Sequence, residues 1–364
     1  MANLVALEMP IGVSLVDFIK TCANNHEAFT ILDPNWSGQR RSELLDVLRP
    51  THLIDTSGHR QTLEGEPVDD GDGAVVLTSG SAGRPKAAVL TWEALQASAT
   101  LTTQTLAREG EQRWLAAIPP THIGGLAVLL RSVLADASLL FDASVESGPA
   151  LGATHVSVVR TQLVRYDTSN YQCVLLGGGP PPPNVPDNVT TTWGMTETGS
   201  GVVYDQTPLP GVELAVVEGE LLIKSPTLLR TYRDRPRPEV STNGSDGWFP
   251  TGDGATLLDG KLHIQGRLAY VITSGGEKIW PEDLESLFRD IEGVDDLAVV
   301  GREDAEWGQR VTVVAVSTRS EGELLELCRA LARERFGPWA QPKAIELVST
   351  IPRTSNGKIA RGLL

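Results

Sequence analysis

The sequence has few cysteines and no long apolar run. Its three cysteines, Cys22, Cys173 and Cys328, are far apart and lack the spacing of metal ligands. An odd, sparse set of this kind fits a reducing cytoplasm, so we expect buried free thiols rather than disulfides or a zinc site. No stretch approaches the ~20 apolar residues of a membrane span, and residues 1–20 lack the apolar core of a secretory signal. We therefore expect a cytoplasmic protein without a membrane segment.

Positive charge is also scarce. The chain has 31 Lys and Arg residues against 46 Asp and Glu residues, for a formal net charge of −15. This balance argues against nucleic acid or an anionic membrane surface as a partner, and any phosphate site must be built by local groups. The length of 364 residues, with 41% hydrophobic and 21% charged residues, is typical of a globular protein with more than one domain.

One stretch does concentrate glycine, hydroxyl and cationic residues. Residues 77–86 are Leu-Thr-Ser-Gly-Ser-Ala-Gly-Arg-Pro-Lys, at the end of an apolar run over 74–77. Main-chain N–H groups beside glycine, together with hydroxyls and cations, suit a polyphosphate, although a polar loop between a strand and a helix would use the same residues. The stretch is not a Walker A loop, because Lys86 does not directly follow Gly83.

The rest of the chain alternates strand and helix signals, which favours a layered α/β architecture. Predicted helices cover 43–48, 126–134 and the residues capped by Thr91, and predicted strands cover 52–55, 113–118, 138–141, 155–159 and 172–176. A β-rich portion follows. It has hairpins at Glu218-Gly219 and Asp259-Gly260 and a tight loop over 247–253.

A change in character after Gly266-Arg267 predicts a second domain. Pro281 begins a helix with acidic residues in its first turn, and Ser320 and Glu323 have capping-box spacing. Strands are predicted at 297–300, 311–316 and 344–348. We expect a large layered α/β domain with a β-rich portion at 1–266 and a small α+β domain at 267–364.

Residues 77–86 resemble the phosphate-binding loop of the adenylate-forming superfamily, which includes acyl-CoA synthetases, peptide-synthetase adenylation domains and luciferases. Further motifs match in the same order: Thr-Trp-Gly-Met-Thr-Glu at 192–197, Thr-Gly-Asp at 251–253, Gly-Arg at 266–267 and Pro-Arg-Thr-Ser-Asn-Gly-Lys at 352–358. The resemblance implies an enzyme with a mobile C-terminal domain that activates a carboxylic acid with ATP and Mg²⁺ and releases pyrophosphate. The acyl group then passes to coenzyme A, and AMP leaves.

The resemblance also implies a role for each motif residue. The phosphates of ATP are cradled by Thr78, Ser79, Gly80, Ser81 and Lys86. The catalytic residues are Thr196, which contacts phosphate, Glu197, which holds Mg²⁺, and Lys358, which serves adenylation. Adenine and ribose are bound by Gly177, Gly178, Gly179, Trp193, Asp253 and Arg267. The hinge is Ala269, and the tunnel for the thiol arm of coenzyme A is lined by Gly275 and Gly276. Trp193 and Ala269 depart from the Tyr and the Asp or Lys usual in the superfamily.

Within the superfamily the chain most resembles short actinobacterial o-succinylbenzoate–CoA ligases of menaquinone biosynthesis. That resemblance implies that His122 and Ser200 bind the acid, which has one carboxylate to activate and a second to hold. Three alternatives stay open: a ligase for another aryl or acyl acid, an enzyme that loads a carrier protein, and a non-catalytic nucleotide-binding protein. The oligomeric state is open as well, a homodimer included.

Overall fold

The computed structural model describes residues 1–78, 85–182, 184–242, 245–353 and 359–364. Contacts among these residues divide the chain into two units. The N-terminal unit contains the described residues of 1–80, 84–214 and 223–249, and the C-terminal unit contains those of 215–222 and 250–364. Residues 250–266 therefore cluster with the C-terminal part of the chain. The domain boundary between residues 266 and 267 stays a prediction.

The first part of the N-terminal unit builds a mixed sheet in which the described strands follow the order β6-β5-β2-β1-β3-β4. The elements are β1 Leu4–Glu8, α1 Val13–Asn24, β2 Ala28–Leu32, α2 Gly38–Leu48, β3 His52–Ile54, β4 Arg60–Thr62, β5 Asp72–Thr78, β6 Lys86–Thr91 and α3 Trp92–Thr105. Strands β1, β2 and β3 are parallel. The alternation of strand and helix that the sequence predicts is confirmed here.

A second sheet follows in the same unit, with the described strands in the order β13-β12-β11-β10-β9-β7-β8. Its elements are β7 Arg113–Leu115, α4 Ile123–Leu134, β8 Ser138–Leu140, β9 His155–Val159, α5 Arg160–Arg165, β10 Cys173–Gly177, β11 Val189–Met195, β12 Ser200–Tyr204 and β13 Thr207–Pro208. Helix α3 packs on β5 and β6 of the first sheet and on β12 of the second, and it also contacts α4. The layered α/β class is confirmed.

The β-rich portion contains β14 Glu213–Val217, β15 Glu220–Lys224, β16 Thr231–Tyr232, β17 Val240–Thr242, β18 Ser245–Leu258 and β19 Lys261–Arg267. Strand β16 is an edge strand of the first sheet, where it pairs antiparallel with β6. The hairpins at Glu218-Gly219 and Asp259-Gly260 are confirmed, and all four residues have positive φ. The prediction of a tight loop over 247–253 is wrong. These residues belong to β18, because Trp248 and Phe249 are buried by contacts that local glycine content does not reveal.

The C-terminal unit continues with β20 Ile272–Ser274, β21 Glu277–Ile279, α6 Pro281–Phe288, β22 Val294–Asp304, β23 Gly308–Ser317, α7 Glu321–Arg335 and β24 Ala344–Leu347. Its described strands follow the order β21-β20-β23-β22, with β24 parallel to β23. Leu284 and Phe288 of α6 and Leu324 and Cys328 of α7 share one hydrophobic core. The predicted α+β character and the Ser320–Glu323 capping box are confirmed.

The predictions on cysteine and membrane segments can be compared with the structure. Cys22, Cys173 and Cys328 are all free and buried, as predicted, and burial raises the pKa of Cys22 and of Cys328 to about 12. Within the described part of the chain, no helix combines the length and the apolar character needed to cross a membrane.

Candidate active site

The predicted phosphate loop begins and ends at paired strand positions. Thr78 closes β5, Lys86 opens β6, and the two residues are direct partners in the antiparallel ladder. Ser79, Gly80 and Ser81 lie outside the described residues. The sequence suggested a loop that leads to a helix, but residues 86–91 form a strand before α3. Thr91 still caps that helix, because its Oγ1 accepts the Ala94 amide at 3.1 Å. Thr78 and Lys86 are both half-buried.

Glu197 lies in a short 3₁₀ turn between β11 and β12 and is buried. The hydroxyl of Tyr232 donates to Glu197 Oε1 at 2.9 Å, and the main-chain carbonyl of Glu197 accepts the Leu229 amide at 2.8 Å. The Nζ of Lys86 lies 5.8 Å from the centre of the Tyr232 ring, and the guanidinium of Arg235 lies 5.2 Å from it. Lys86, the predicted phosphate-binding lysine, thus lies near the ring of Tyr232, and Glu197, the predicted metal-binding carboxylate, is bonded to the hydroxyl of the same side chain.

The turn that holds Glu197 is fixed by its neighbour Thr198, which is fully buried. Thr198 Oγ1 accepts the Met195 amide at 2.9 Å and donates to the Ser200 carbonyl at 2.7 Å. Gly194 faces this connection so closely that a Cβ there would lie 2.2 Å from the Ser200 carbonyl oxygen. The half-buried Thr196 and the buried Ser200 thus flank Glu197 on one rigid connection.

The predicted adenine-binding residues lie at or near the carboxyl ends of two adjacent strands. Gly177 is the last residue of β10, which runs parallel to β11, the strand that contains Trp193. The carboxyl ends of parallel strands meet at one edge of a sheet, where ligands of open α/β sheets bind. A Cβ on Gly177 would lie 3.1 Å from Cγ2 of Thr192. Gly178 and Gly179 are exposed beyond that edge.

His122 is the N-cap residue of α4. Its main-chain carbonyl accepts hydrogen bonds from the amides of Gly125 and Leu126 at 3.0 and 2.9 Å. The imidazole side chain makes no capping hydrogen bond. Burial lowers the pKa of His122, which keeps the ring neutral at pH 7 with one donor and one acceptor nitrogen. Helix α4 also packs on β12, the strand that Ser200 begins.

In the C-terminal unit the predicted ribose-binding residues form an ion pair. Asp253 and Arg267 are partners in the β18–β19 ladder, and Arg267 Nε lies 2.9 Å from Asp253 Oδ1. Arg267 Nη1 also donates to the Thr251 carbonyl at 2.8 Å. Asp253 is buried, whereas the Arg267 side chain is 43% exposed.

Three of the remaining predicted residues of this unit lie close together in sequence. Ala269 is exposed in a 3₁₀ turn at Leu268–Tyr270. Gly275 and Gly276 form the two-residue turn between β20 and β21, with φ of +60° and +88°, as a type I′ hairpin requires. The Gly275 amide donates to the Trp307 carbonyl at 2.9 Å. Lys358 lies outside the described residues.

A model of the family described as AMP-binding enzyme matches residues 37–233, and a model described as the AMP-binding enzyme C-terminal domain matches residues 283–358. The first match alone covers more than half of the chain. The chain belongs to the AMP-binding enzyme family. Two of the motifs quoted above, those over 77–86 and 192–197, lie within the first matched range.

Curated relatives of this AMP-binding enzyme have a consistent name. It is 35% identical over 332 residues to a probable 2-succinylbenzoate–CoA ligase of Mycobacterium tuberculosis, covering 82% of this chain and 85% of the relative. It is 31% identical over 327 residues to a 2-succinylbenzoate–CoA ligase of Listeria monocytogenes serotype 4b, covering 80% and 69%.

Solved structures show the same fold. The o-succinylbenzoate CoA synthetase of Bacillus subtilis, in complex with its acyl-adenylate intermediate, has a TM-score of 0.83 and 24% identity, covering 99% of this chain and 87% of that one. ATP-bound MatB of Rhodopseudomonas palustris also has a TM-score of 0.83, at 19% identity, covering 100% and 88%. Fold likeness at these identities does not distinguish one acid substrate from another.

Sequence reasoning missed three residues of the candidate site in this AMP-binding enzyme. Tyr232 is 35 positions from Glu197 and has no motif around it. Trp307 supports the Gly275 turn from the distant β22–β23 connection. Thr198 could have been found from the local sequence, since a hydroxyl residue at the third position of a short turn can accept the amide of the residue that precedes the turn, here Met195.

Proposed function

We propose that this protein is a 2-succinylbenzoate–CoA ligase that works in two ATP-dependent steps. The observation that carries the proposal is 35% identity to the mycobacterial relative over 82% of the chain. In the first step a carboxylate oxygen of the acid bonds to the α-phosphorus of ATP, and pyrophosphate leaves. In the second step the sulfur of coenzyme A bonds to the acyl carbon, and AMP leaves. This is the chemistry that menaquinone biosynthesis needs from such an enzyme.

The geometry around Tyr232 supports the first step. Lys86 and Thr78 stand at the two ends of the predicted phosphate loop and can bind the leaving pyrophosphate. Glu197 is a buried carboxylate oriented by Tyr232, and a hard cation prefers such an oxygen together with phosphate oxygens. A bound Mg²⁺ would neutralise charge on those phosphates. Glu197 would be its protein ligand, and Thr196 on the same turn would contact phosphate.

The remaining roles are part of the same proposal. Gly177, Gly178, Gly179 and Trp193 would flank adenine, and Asp253 with Arg267 would bind the ribose hydroxyls, since one carboxylate has two acceptor oxygens. Lys358 would position the acid carboxylate and the α-phosphate during adenylation. Rotation of the C-terminal domain at Ala269 would then bring Gly275 and Gly276 to the thiol arm of coenzyme A.

The acid is proposed to bind against two donors, His122 and Ser200. A neutral His122 can donate to the benzoate carboxylate without the desolvation cost of a charged imidazolium. Ser200, buried at the start of β12, can donate a second hydrogen bond. Because all three cysteines are free, we place the enzyme in a reducing cytoplasm.

One experiment tests the proposal. Pyrophosphate release is measured across a panel of acids, with and without coenzyme A. We expect release that requires o-succinylbenzoate and, with coenzyme A present, formation of its thioester. Release with benzoates or fatty acids but not with o-succinylbenzoate would refute the acid assignment. A pantetheine-bearing carrier protein that replaced coenzyme A would favour a carrier-loading enzyme, and no release with any acid would favour a nucleotide-binding protein.

The role of Lys358 has its own test. Lys358→Ala should abolish adenylation but leave thioester formation from pre-made acyl-adenylate intact, because the lysine serves only the first step. Lys261→Ala is the control, since this exposed lysine at the start of β19 belongs to the same unit and has no proposed role in either half-reaction. Equal loss of both half-reactions in Lys358→Ala would contradict the two-step assignment.

A further inference from the structure

The residues on either side of segment 354–358 lie side by side. Arg353 and Ile359 form an antiparallel bridge, and the Ala360 amide donates to the Pro352 carbonyl at 2.8 Å. Arg353 Nη2 donates to both carboxylate oxygens of Asp296 on β22, at 2.7 and 2.8 Å. This pair is exposed to solvent, and exposed ion pairs contribute little to stability.

A much more buried pair follows three residues after Lys358. Arg361 donates from Nη1 and Nη2 to the two carboxylate oxygens of Glu285 on α6, at 2.6 and 3.0 Å. Its Nη1 also donates to the Val299 carbonyl at 2.9 Å, and the Val299 amide donates back to Glu285 at 2.8 Å. The side chains are 8% and 7% exposed. A bidentate pair of this kind fixes orientation as well as distance.

Two further groups complete the surroundings of Arg361. Glu282 Oε1 accepts from Nη2 at 3.3 Å, and the guanidinium lies 5.4 Å from the centre of the Tyr270 ring. Burial lowers the pKa of Arg361, but hydrogen bonds and charge from Glu285 and Glu282 outweigh it, and the net shift is upward. Arg361 is therefore a charged group whose partners come from α6, from β22 and from the turn that contains Ala269.

We propose that Arg361 is a positioning residue for adenylation, which holds the main chain next to Lys358 in a fixed place on α6 and β22. The inference rests on the proposed function, because it takes Lys358 as the adenylation lysine. A misplacement of about 1 Å in a catalytic group can cost on the order of 100-fold in rate. The thioester step does not use Lys358, so it should not depend on Arg361.

Arg361→Met tests this on the full-length protein. Adenylation is measured by acid-dependent exchange of pyrophosphate into ATP, and the second step by thioester formation from pre-made acyl-adenylate. We expect exchange to fall by about 30- to 100-fold while thioester formation keeps its wild-type rate. Arg361→Lys should be intermediate, because one ammonium cannot reproduce the two parallel bonds. Arg329→Met is the control, since Arg329 on α7 donates to the Pro342 carbonyl and to Glu326, and it should leave the ratio of the two rates unchanged.

Limited digestion with trypsin gives a readout that is independent of activity. Cleavage after Lys358 requires residues 359–361 to leave their bonds, so Arg361→Met should speed it several-fold. Apart from the site after residue 361, which the substitution removes, cleavage elsewhere should keep its rate. Equal loss of both half-reactions, or unchanged exchange despite faster cleavage, would overturn the positioning role. If the wild-type protein does not use o-succinylbenzoate, the acid assignment fails alone, and the comparison is made with an acid from the panel that supports exchange. If no acid of the panel supported exchange, both proposals would be overturned.

Discussion

Replacing Tyr232 by Phe removes one hydroxyl from the candidate phosphate site and keeps the ring that Lys86 and Arg235 contact. The lost bond runs from a buried hydroxyl to Glu197 Oε1 over 2.9 Å. Hydrogen bonds to charged groups contribute about 1.5–3 kcal/mol, so adenylation should slow by roughly tenfold to a hundredfold. The assay is acid-dependent pyrophosphate exchange over a Mg²⁺ titration. Because the carboxylate is less well oriented, more Mg²⁺ should be needed for half-maximal rate.

Tyr204→Phe is the matched control for this prediction. Tyr204 is buried to the same degree and also makes a 2.9 Å hydrogen bond, but to the uncharged Thr102. That loss should lower the free energy of unfolding by about 1 kcal/mol and leave the Mg²⁺ dependence unchanged. Wild-type exchange in Tyr232→Phe at every Mg²⁺ concentration, or the same shift in both variants, would refute the reasoning.

Three further substitutions separate the remaining roles. Gly275→Ala places a residue with a side chain at a positive φ, which costs about 1–2 kcal/mol, and its Cβ would lie 3.0 Å from the Trp307 ring. Single-turnover assays should show slow thioester formation with normal adenylation. Slowing of both steps would contradict this prediction. Asp253→Asn weakens the bond to Arg267 and should raise the KM for ATP about tenfold, more than it changes kcat. Burial lowers the pKa of His122, so the unfolded chain takes up that proton at higher pH than the folded protein. Thermal melts should therefore show stability falling as pH drops below about 6.5, and falling less in His122→Gln.

Local capping signals in the sequence predicted the N-termini of two helices, whereas the helices predicted over 43–48 and 126–134 begin at Gly38 and Ile123. Thr91 and Ser320 cap their helices through bonds to residues three positions away, so the information lies within one turn. The Glu218-Gly219 hairpin is equally local, because its two residues must adopt positive φ. Such elements depend little on the rest of the fold.

Elements that depend on distant partners were missed. Strand β6 exists because residues 86–91 pair with β5 and β16, and the strand over 247–253 exists because Trp248 and Phe249 are buried. Motif resemblance assigned both Asp253 and Arg267 to ribose, but only the register of β18 and β19 shows that they face each other. The contact of Tyr232 with Glu197 joins two sheets and leaves no pattern in the sequence.

That contact has a consequence for how the enzyme fails on heating. Tyr232 belongs to β16, which consists of Thr231 and Tyr232 at the edge of the first sheet, whereas Glu197 lies in the 3₁₀ turn between β11 and β12 of the second sheet. Edge strands open with a lower free energy than core strands, and β16 is held by the amides of Arg230 and Arg233, which donate to carbonyls of β6. Heat inactivation should therefore begin below the melting temperature of the sheets, together with hydrogen exchange at those two amides. The working lifetime of the enzyme is then set by one edge strand rather than by its core.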